Sequence, residues 1–452
     1  MARRAWKKSY FHDSGSCTYR DVKIVLFFFR IIGLAPFDSI RNNFSETISD
    51  KRHSETEVSV KFVLSRFCLI YNVFLSVADI PLSIICIRNL LNTQYPHKTS
   101  LTLAIDVAQA GFGVTFMNAL WLLTSIKRNH MADLLNRLVE VNSTICRVTN
   151  SYNIGIRRLH VIGVSTGLII IWIVLIVCDA EASRTMILDW FNDIAPAFVR
   201  AHFILQYALM LKFIEIQYRN LNGAIIKISR SSTIRGSRSV IIHGGMALMN
   251  TDYCPKITDF RRLHNILYVI GLDVAEFYSM PILFIIPLSC VQIIYNAYWS
   301  LMPLTLSLDI DPTFVVASAI IWVLVLIIPI AILAKNVDSV TAEGTFTTSL
   351  VFMDSQMKNT SDAIYKVLDG CNLSREDKAE LEQFSVELLH RKIEFSAYGL
   401  FLLDCSLVHS IFSSTITYLV ILLQFQISAV NPETSEKPEQ ASSEPAKSLV
   451  VD

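Results

Sequence analysis

Along the chain, long apolar windows alternate with charged connections. A helix crossing about 30 Å of hydrocarbon at 1.5 Å per residue needs about 20 apolar residues. Seven windows provide them, at 62–87, 101–126, 159–178, 195–218, 279–303, 313–334 and 407–427. The run at 24–37 is shorter, is interrupted by Arg30 and ends at Pro36, so it predicts an interfacial or re-entrant helix and not an eighth crossing. Helical spacing of Phe260, Leu263, Ile266, Leu267 and Ile270 predicts that the fifth spanning helix extends beyond the membrane. Between the sixth and seventh windows, Leu381, Phe384, Val386, Leu388 and Leu389 oppose Glu380, Glu382, Glu387, Arg391 and Lys392, the pattern of an amphipathic stalk helix. Beyond about 430 the chain is rich in Pro, Glu, Ser and Lys and reads as disordered. The fold class is therefore an all-α polytopic membrane protein with seven transmembrane helices. It divides into a cytoplasmic N-terminal segment with its interfacial helix (1–61), a seven-helix domain (62–427) and an extracellular tail (428–452).

Charge sets the expected direction. Of the 40 Lys and Arg, 33 fall in residues 1–61 and in the second, fourth and sixth connections, while six fall in the other four segments. Retained positive charge marks the cytoplasmic side, which puts the N-terminus inside and the C-terminus outside. G-protein-coupled receptors have the reverse arrangement, and the chain lacks their Asp-Arg-Tyr-like and Asn-Pro-x-x-Tyr-like landmarks. Secondary transporters show internal repeats and paired broken helices, for which Pro281, Pro287 and Pro329 are the only hints. The sequons at Asn43, Asn142, Asn359 and Asn372 all fall on the expected inside, where glycosylation does not occur.

Apolar residues make up 52% of the 452 and charged residues 17%, too little polar surface for a soluble chain. A net charge of +1 gives no reason to expect nucleic acid. Nine cysteines and ten histidines are scattered without metal-ligand spacing, and no Walker loop, GxGxxG, HExxH or GxSxG motif stands in an enzyme context. No enzyme activity, metal or cofactor is expected.

Polar and aromatic groups interrupt the expected outer halves of the spans. Asp106 and Gln109 lie in span two, His202, Gln206 and Tyr207 in span four, Gln292, Tyr295, Asn296, Tyr298 and Trp299 in span five, and Trp322 in span six. Flat aromatic faces beside amides and a carboxylate suit a sugar or polyol, or an aromatic plant compound. Asp106 stands out, because a carboxylate within a span costs about 2.5–3.5 kcal/mol. Asp179, Glu181, Asp189 and Asp193, set against Arg184 and Arg200, together with Asp309 and Asp311, form acidic outer loops that would concentrate cations.

The last span carries Thr417, Tyr418, five apolar residues, then Gln424 and Phe425. This resembles the Thr-Tyr-five-hydrophobic-Gln-Phe signature that closes insect gustatory receptors, and the preceding Phe395, Ser396, Ala397, Gly399 and Leu400 look like that family's entry into its final helix. The likeness covers nearly the whole chain. GLAPFDSIRNN is similar to the fructose-type branch, although that branch places a tryptophan just beyond span three, where this chain has Ser183 and its next tryptophan is Trp190. The resemblance implies a plasma-membrane taste receptor of sensory neurons. It would act as a ligand-gated nonselective cation channel for a sugar, polyol or bitter compound, as a homotetramer or in heteromers with other gustatory receptors. Thr417, Tyr418, Gln424 and Phe425 would then belong to the pore and gate. Insect odorant receptors share the expected topology and are the alternative.

The orientation is testable on cells. An epitope placed after Val430 is expected to stain on intact cells and one placed before Lys23 only after permeabilisation; the opposite pattern would reverse the topology.

Overall fold

The computed structural model describes residues 23–44, 57–92, 100–149, 158–183, 187–237, 257–305, 312–356, 383, 387 and 393–430. In chain order these form α1 (23–31), β1 (Phe37–Phe44), β2 (Glu57–Leu64), α2 (Arg66–Asn92), α3 (Ser100–Ile126), α4 (Arg128–Thr149), α5 (Arg158–Ser183), α6 (Ile187–Ser237), α7 (Ile257–Thr305), α8 (Pro312–Gln356), β3 (Ser396–Ala397), β4 (Phe401–Leu402) and α9 (Cys405–Val430). Asp309, Asp311, Asn359, Asn372, nearly all of the expected stalk and the tail beyond 430 lie outside the described residues.

Six of the seven windows fall on a helix throughout, and the first does so from Arg66 onward. Six stretches among the described residues are long and apolar enough to cross a membrane: Arg66–Asn92, Leu103–Ile126, Asp193–Gly223, Thr258–Tyr298, Thr313–Gly344 and Cys405–Phe425. The remaining window lies in α5, which is 26 residues long and includes side chains outside the description. α6 is the central helix, packed against α8, α3 and α7, and 78% of its apolar window is buried. α9 leans on α7 and α8 from outside, with 6% of its window buried. α7, of 49 residues, runs well past the length of one crossing, as its periodicity predicts.

The run at 24–37 enters the bundle. One side of α1 and the turn after it bury Leu26, Phe29, Ile32, Leu34 and Phe37 in the core, while Ile24, Phe27 and Ile31 are exposed apolar residues facing outward. Gly33 ends the helix at φ +85°, with the Gly33 N–H donating to the Arg30 carbonyl (3.0 Å) and the Leu34 N–H to the Phe29 carbonyl (2.8 Å), a Schellman close. The carbonyls left over are met by side chains of the spans. The Tyr71 hydroxyl donates to Ile31 (2.8 Å), Trp121 Nε1 to Ile32 (2.8 Å), Asn72 Nδ2 to Gly33 (2.8 Å) and Gln206 Nε2 to Leu34 (3.1 Å). Arg30, which interrupts the apolar run, pairs with Asp38 at 2.8 Å and donates to the Phe37 carbonyl.

The chain leaves this turn as β1, which pairs antiparallel with β2, Phe37 opposite Leu64 and Phe44 opposite Glu57. The sequence reading has no strand here and begins span one inside β2; the helix starts at Arg66. The Asn136 side chain of α4 brackets β2, its Oδ1 accepting from the Phe62 N–H (2.8 Å) and its Nδ2 donating to the Phe62 carbonyl (3.0 Å). Towards the C-terminal ends of these apolar stretches, α6 and α8 are joined by charge. Glu215, 0% exposed, pairs with Lys212 (2.7 Å) and Arg219 (2.5 Å), and Arg219 reaches Glu343 (3.0 Å). Of the expected stalk, Gln383 and Glu387 both receive donors from Arg261 of α7.

A Cβ at Gly33 would stand 2.7 Å from Trp121 Nε1. Gly33→Ala is therefore expected to destabilise by more than the about 1–2 kcal/mol of a left-handed alanine alone, since it also displaces the indole that caps Ile32. Thermal unfolding in detergent checks this, and an unchanged Tm would remove the turn from the structural core.

Candidate functional site

The end of the bundle opposite the α1 turn is where α3 begins, α6 begins and α7 ends. There Tyr295 of α7 donates its hydroxyl to the Asp106 carboxylate of α3. One turn along α7, Gln292, 2% exposed, accepts at Oε1 from Arg200 Nη2 of α6 (2.5 Å), and its carbonyl accepts from Asn296 Nδ2 (2.9 Å). Gln109, also on α3, keeps a buried Oε1 without a partner. Asp106 and Tyr295 are thus bonded, Gln292 holds both Asn296 and an arginine that the sequence reading assigns to an outer loop, and Gln109 lies one turn from Asp106 on α3. Tyr298, 8% exposed, lies one turn beyond them on α7, and the Trp299 side chain is outside the described residues.

A second group, of aromatic rings, joins α5, α6 and α8. Trp172 of α5 meets Phe198 of α6 edge-on (5.3 Å between centroids) and Trp322 of α8 at 6.0 Å. Phe198 lies 4.1 Å from the ring of His202, whose other neighbour is Phe28 of α1 at 5.2 Å. His202 Nδ1 donates to the Phe198 carbonyl (2.7 Å) and its buried Nε2 has no partner, nor has Trp172 Nε1. Trp322 stands beside Asp179 of α5, which accepts from the Ser318 hydroxyl at 3.0 Å. Asp179, expected in an acidic outer loop, is a half-buried link between α5 and α8.

Gln206 and Tyr207 serve the interior. Gln206 donates to Leu34, although its Oε1 is unpartnered, and Tyr207 stacks on Tyr278 at 4.4 Å with rings 8° from parallel. The sequence reading passes over Asp79, mid-way along α2 and 3% exposed, which accepts from Asn118 Nδ2 (2.5 Å) and Ser83 (3.4 Å). The signal was available, since a carboxylate in a span needs partners as Asp106 does.

The four pore candidates share α9. Tyr398 (φ 53°) and Gly399 (φ 75°) close the β3–β4 hairpin that precedes the helix, and Leu400 N–H donates back to Ala397. The helix start is held by two carboxylates. Asp338 of α8 accepts from the Cys405 N–H (3.2 Å), and Asp404 accepts from the N–H and hydroxyl of Ser406, bonds that keep its carboxyl below the usual range. Thr417, Tyr418, Gln424 and Phe425 are all exposed, Phe425 by 71%. Ser406, Ser410, Ser413, Thr417 and Gln424 recur at spacings of three, four and seven, which aligns them on one face. Ser410 and Thr417 return their hydroxyls to carbonyls one turn back, each at 3.0 Å. Among the described residues no group of three His, Cys, Asp or Glu could hold a metal.

A seven-crossing helical bundle with a polar cluster at one end, a group of aromatic rings and an exposed final helix is the architecture of a membrane receptor. Residues 22–429 match the 7tm Chemosensory receptor family, and the chain belongs to it. It is similar to two Drosophila melanogaster proteins provisionally named gustatory receptors 28a and 28b. The identities are 26% over 57% of this chain and 54% of the first, and 25% over 41% of this chain and 37% of the second. The chain spans about half the length, or less, of these curated relatives. Its fold is similar to that of the insect olfactory receptor OR5 from Machilis hrabei, with TM-score 0.58 and 12% identity over 91% of this chain and all of that one. The same receptor in complex with eugenol gives a TM-score of 0.54 at 13% identity. The family is one of receptors and not of enzymes.

Trp322 is 6% exposed and wedged between Trp172 and Asp179. Trp322→Ala is therefore expected to lower stability by about 3–5 kcal/mol, whereas Trp322→Phe keeps an aromatic ring against Trp172 and loses only the indole N–H beside Asp179. Thermal shift of the two variants separates packing from hydrogen bonding; equal losses would mean that the indole N–H carries the site.

Proposed function

We propose that the chain is a gustatory-type, ligand-gated cation channel of the plasma membrane in sensory neurons. On this reading four copies are arranged with their α9 helices around a pore, and a small molecule is taken up beside the Asp106–Tyr295 and Trp172–Trp322 groups. The observation that carries it is the state of α9. In a membrane, a helix exposed on almost every side while carrying Ser406, Ser410, Ser413, Thr417 and Gln424 on one face needs polar surroundings for that face. Neighbouring copies and a water-filled axis provide them.

Phe425, next to Gln424, supplies an apolar ring that excludes hydrated ions while the pore is closed. The outward N- to C-terminal direction expected from the charge count puts this ring at the outer mouth, with residues 1–61 inside and 428–452 outside. The ligand group pairs aromatic faces with amide and carboxylate atoms, which suits a sugar, a polyol or an aromatic plant compound. Eugenol, held by the receptor of similar fold, is a small aromatic molecule. Assembly with other gustatory receptors would use the same α9 face.

Whole-cell current normalised to surface protein tests the gate. Phe425→Ala is expected to raise current without ligand, and Gln424→Ala to change conductance or gating, because each alters the narrowest ring. Wild-type basal current, ligand response and ion selectivity in both variants would exclude residues 424 and 425 from the gate.

A further inference from the structure

Arg200 is charged, buried and only partly satisfied. It is 4% exposed within the α6 span, one turn past Pro196, and faces α3 where Gly113 lets the helices approach. A Cβ at Gly113 would stand 3.5 Å from Arg200 Nη1 and 3.2 Å from Pro196 Cβ. Of its donors, Nη2 serves the neutral Gln292 Oε1 at 2.5 Å, while the buried Nε has no partner among the described residues. Among the described residues no carboxylate lies within ion-pair distance of it; Asp193, two turns back on α6, acts only from farther away.

A guanidinium keeps its charge at any physiological pH, and a buried charge without a counter-charge is unfavourable unless something supplies one. Its Nε edge is shaped to hold a carboxylate side-on. On α3, Gln109 is one helical turn from Gly113 on the same face, and its buried Oε1 lacks a donor among the described residues. One end of the bundle therefore presents an unfilled cationic donor and an unfilled neutral acceptor on facing helices. Their complement is a small molecule with both an anionic acceptor and a hydroxyl or N–H.

We propose that Arg200 binds the carboxylate of a small hydroxy-acid ligand and that Gln109 accepts from that ligand's hydroxyl. The proposal rests on the ligand-gated reading above and narrows its ligand class to organic acids. Other tastants without the acid group fit the aromatic rings but leave Arg200 unpaired.

The test uses the full chain purified in a neutral detergent, with thermal stabilisation by 4-hydroxybenzoate, 4-hydroxybenzamide and benzoate, and by gluconate and gluconamide. The acid of at least one pair is expected to bind about tenfold more tightly than its amide, as a charge-assisted pair provides. Arg200→Gln should erase that preference and Arg200→Lys should keep it at weaker affinity. Gln109→Leu should weaken 4-hydroxybenzoate and leave benzoate unchanged. If Arg200→Gln does not fold, the graded loss in Arg200→Lys and the Gln109→Leu comparison still decide. Equal binding of acid and amide, a preference that survives Arg200→Gln, or no binding by either acid would overturn the proposal. Currents in expressing cells keep the two readings apart. An acid that binds through Arg200 without evoking current supports the site and removes the channel reading. Acid and amide evoking equal currents would do the reverse.

Discussion

Four backbone carbonyls at the end of α1 set the terms for the bundle. A helix that stops inside an apolar phase leaves C=O groups that water cannot reach, and each left bare costs several kcal/mol in hydrocarbon. Here Tyr71 and Asn72 of α2, Trp121 of α3 and Gln206 of α6 supply the donors, with Thr124 adding a longer contact to Gly33. Three spans are therefore registered against one short segment by bonds that cannot be traded for solvent. Polar residues that would otherwise be unfavourable in a span become its fastening. The same logic extends to Asn136, whose amide imitates a neighbouring strand for Phe62 and ties the hairpin to α4.

That fastening divides the molecule. α6 is enclosed on nearly all sides and takes its partners from α1, α3, α7 and α8, so its polar residues are either spent, as Gln206 is, or turned to the far end, as Arg200 is. α9 is the reverse case, attached by Ile411, Leu407 and Val408 on one side and by carboxylate caps at its start. Its remaining surface is finished only by something outside the single chain. Stability resides in the first group of helices and the proposed conduction path in the last, which separates the residues that fold the protein from those that would gate it.

The seven crossings were legible because length and hydropathy are properties of one segment at a time, and a 20-residue apolar run has few alternatives in a membrane. The short buried hairpin was not, although Val58, Val60, Phe62 and Leu64 alternate with polar positions in β2 until Val63. The hydrophobic count of the first window absorbed its end, and the partner strand, FDSIRNNF, carries no comparable alternation. Tyr295 and Asp106 were named separately and found bonded, since both were recognisable as polar groups in apolar surroundings. Arg200 was misplaced because a cation near the edge of a window reads as loop until its burial is known. Gln206 and Tyr207 were recognisable as unusual but not as internal fastenings, because a side chain's partner across 172 residues of sequence leaves no local mark.

α7 is the element that could make the two ends of the proposed mechanism one device. Gln292 and Tyr295 belong to the polar cluster, while Ser279 on the same helix donates to the Ser396 carbonyl (3.3 Å) and accepts from the Tyr398 N–H (2.5 Å), holding the hairpin that leads into α9. The two sets are about 20 Å apart along the helix, at 1.5 Å per residue. Between them lie Pro281 and Pro287, which cannot donate to the carbonyls of Phe277 and Leu283, so the helix is weakened at two points where bending concentrates. A ligand that draws Gln292 toward α6 through Arg200 would load α7 above those prolines, and the load is delivered at Ser279 below them. The Tyr398–Gly399 turn, already in the left-handed region, and the Asp338 link to Cys405 then carry it to the start of α9. The coupling requires no contact between ligand and pore, only that the prolines let the two halves of α7 take up different angles.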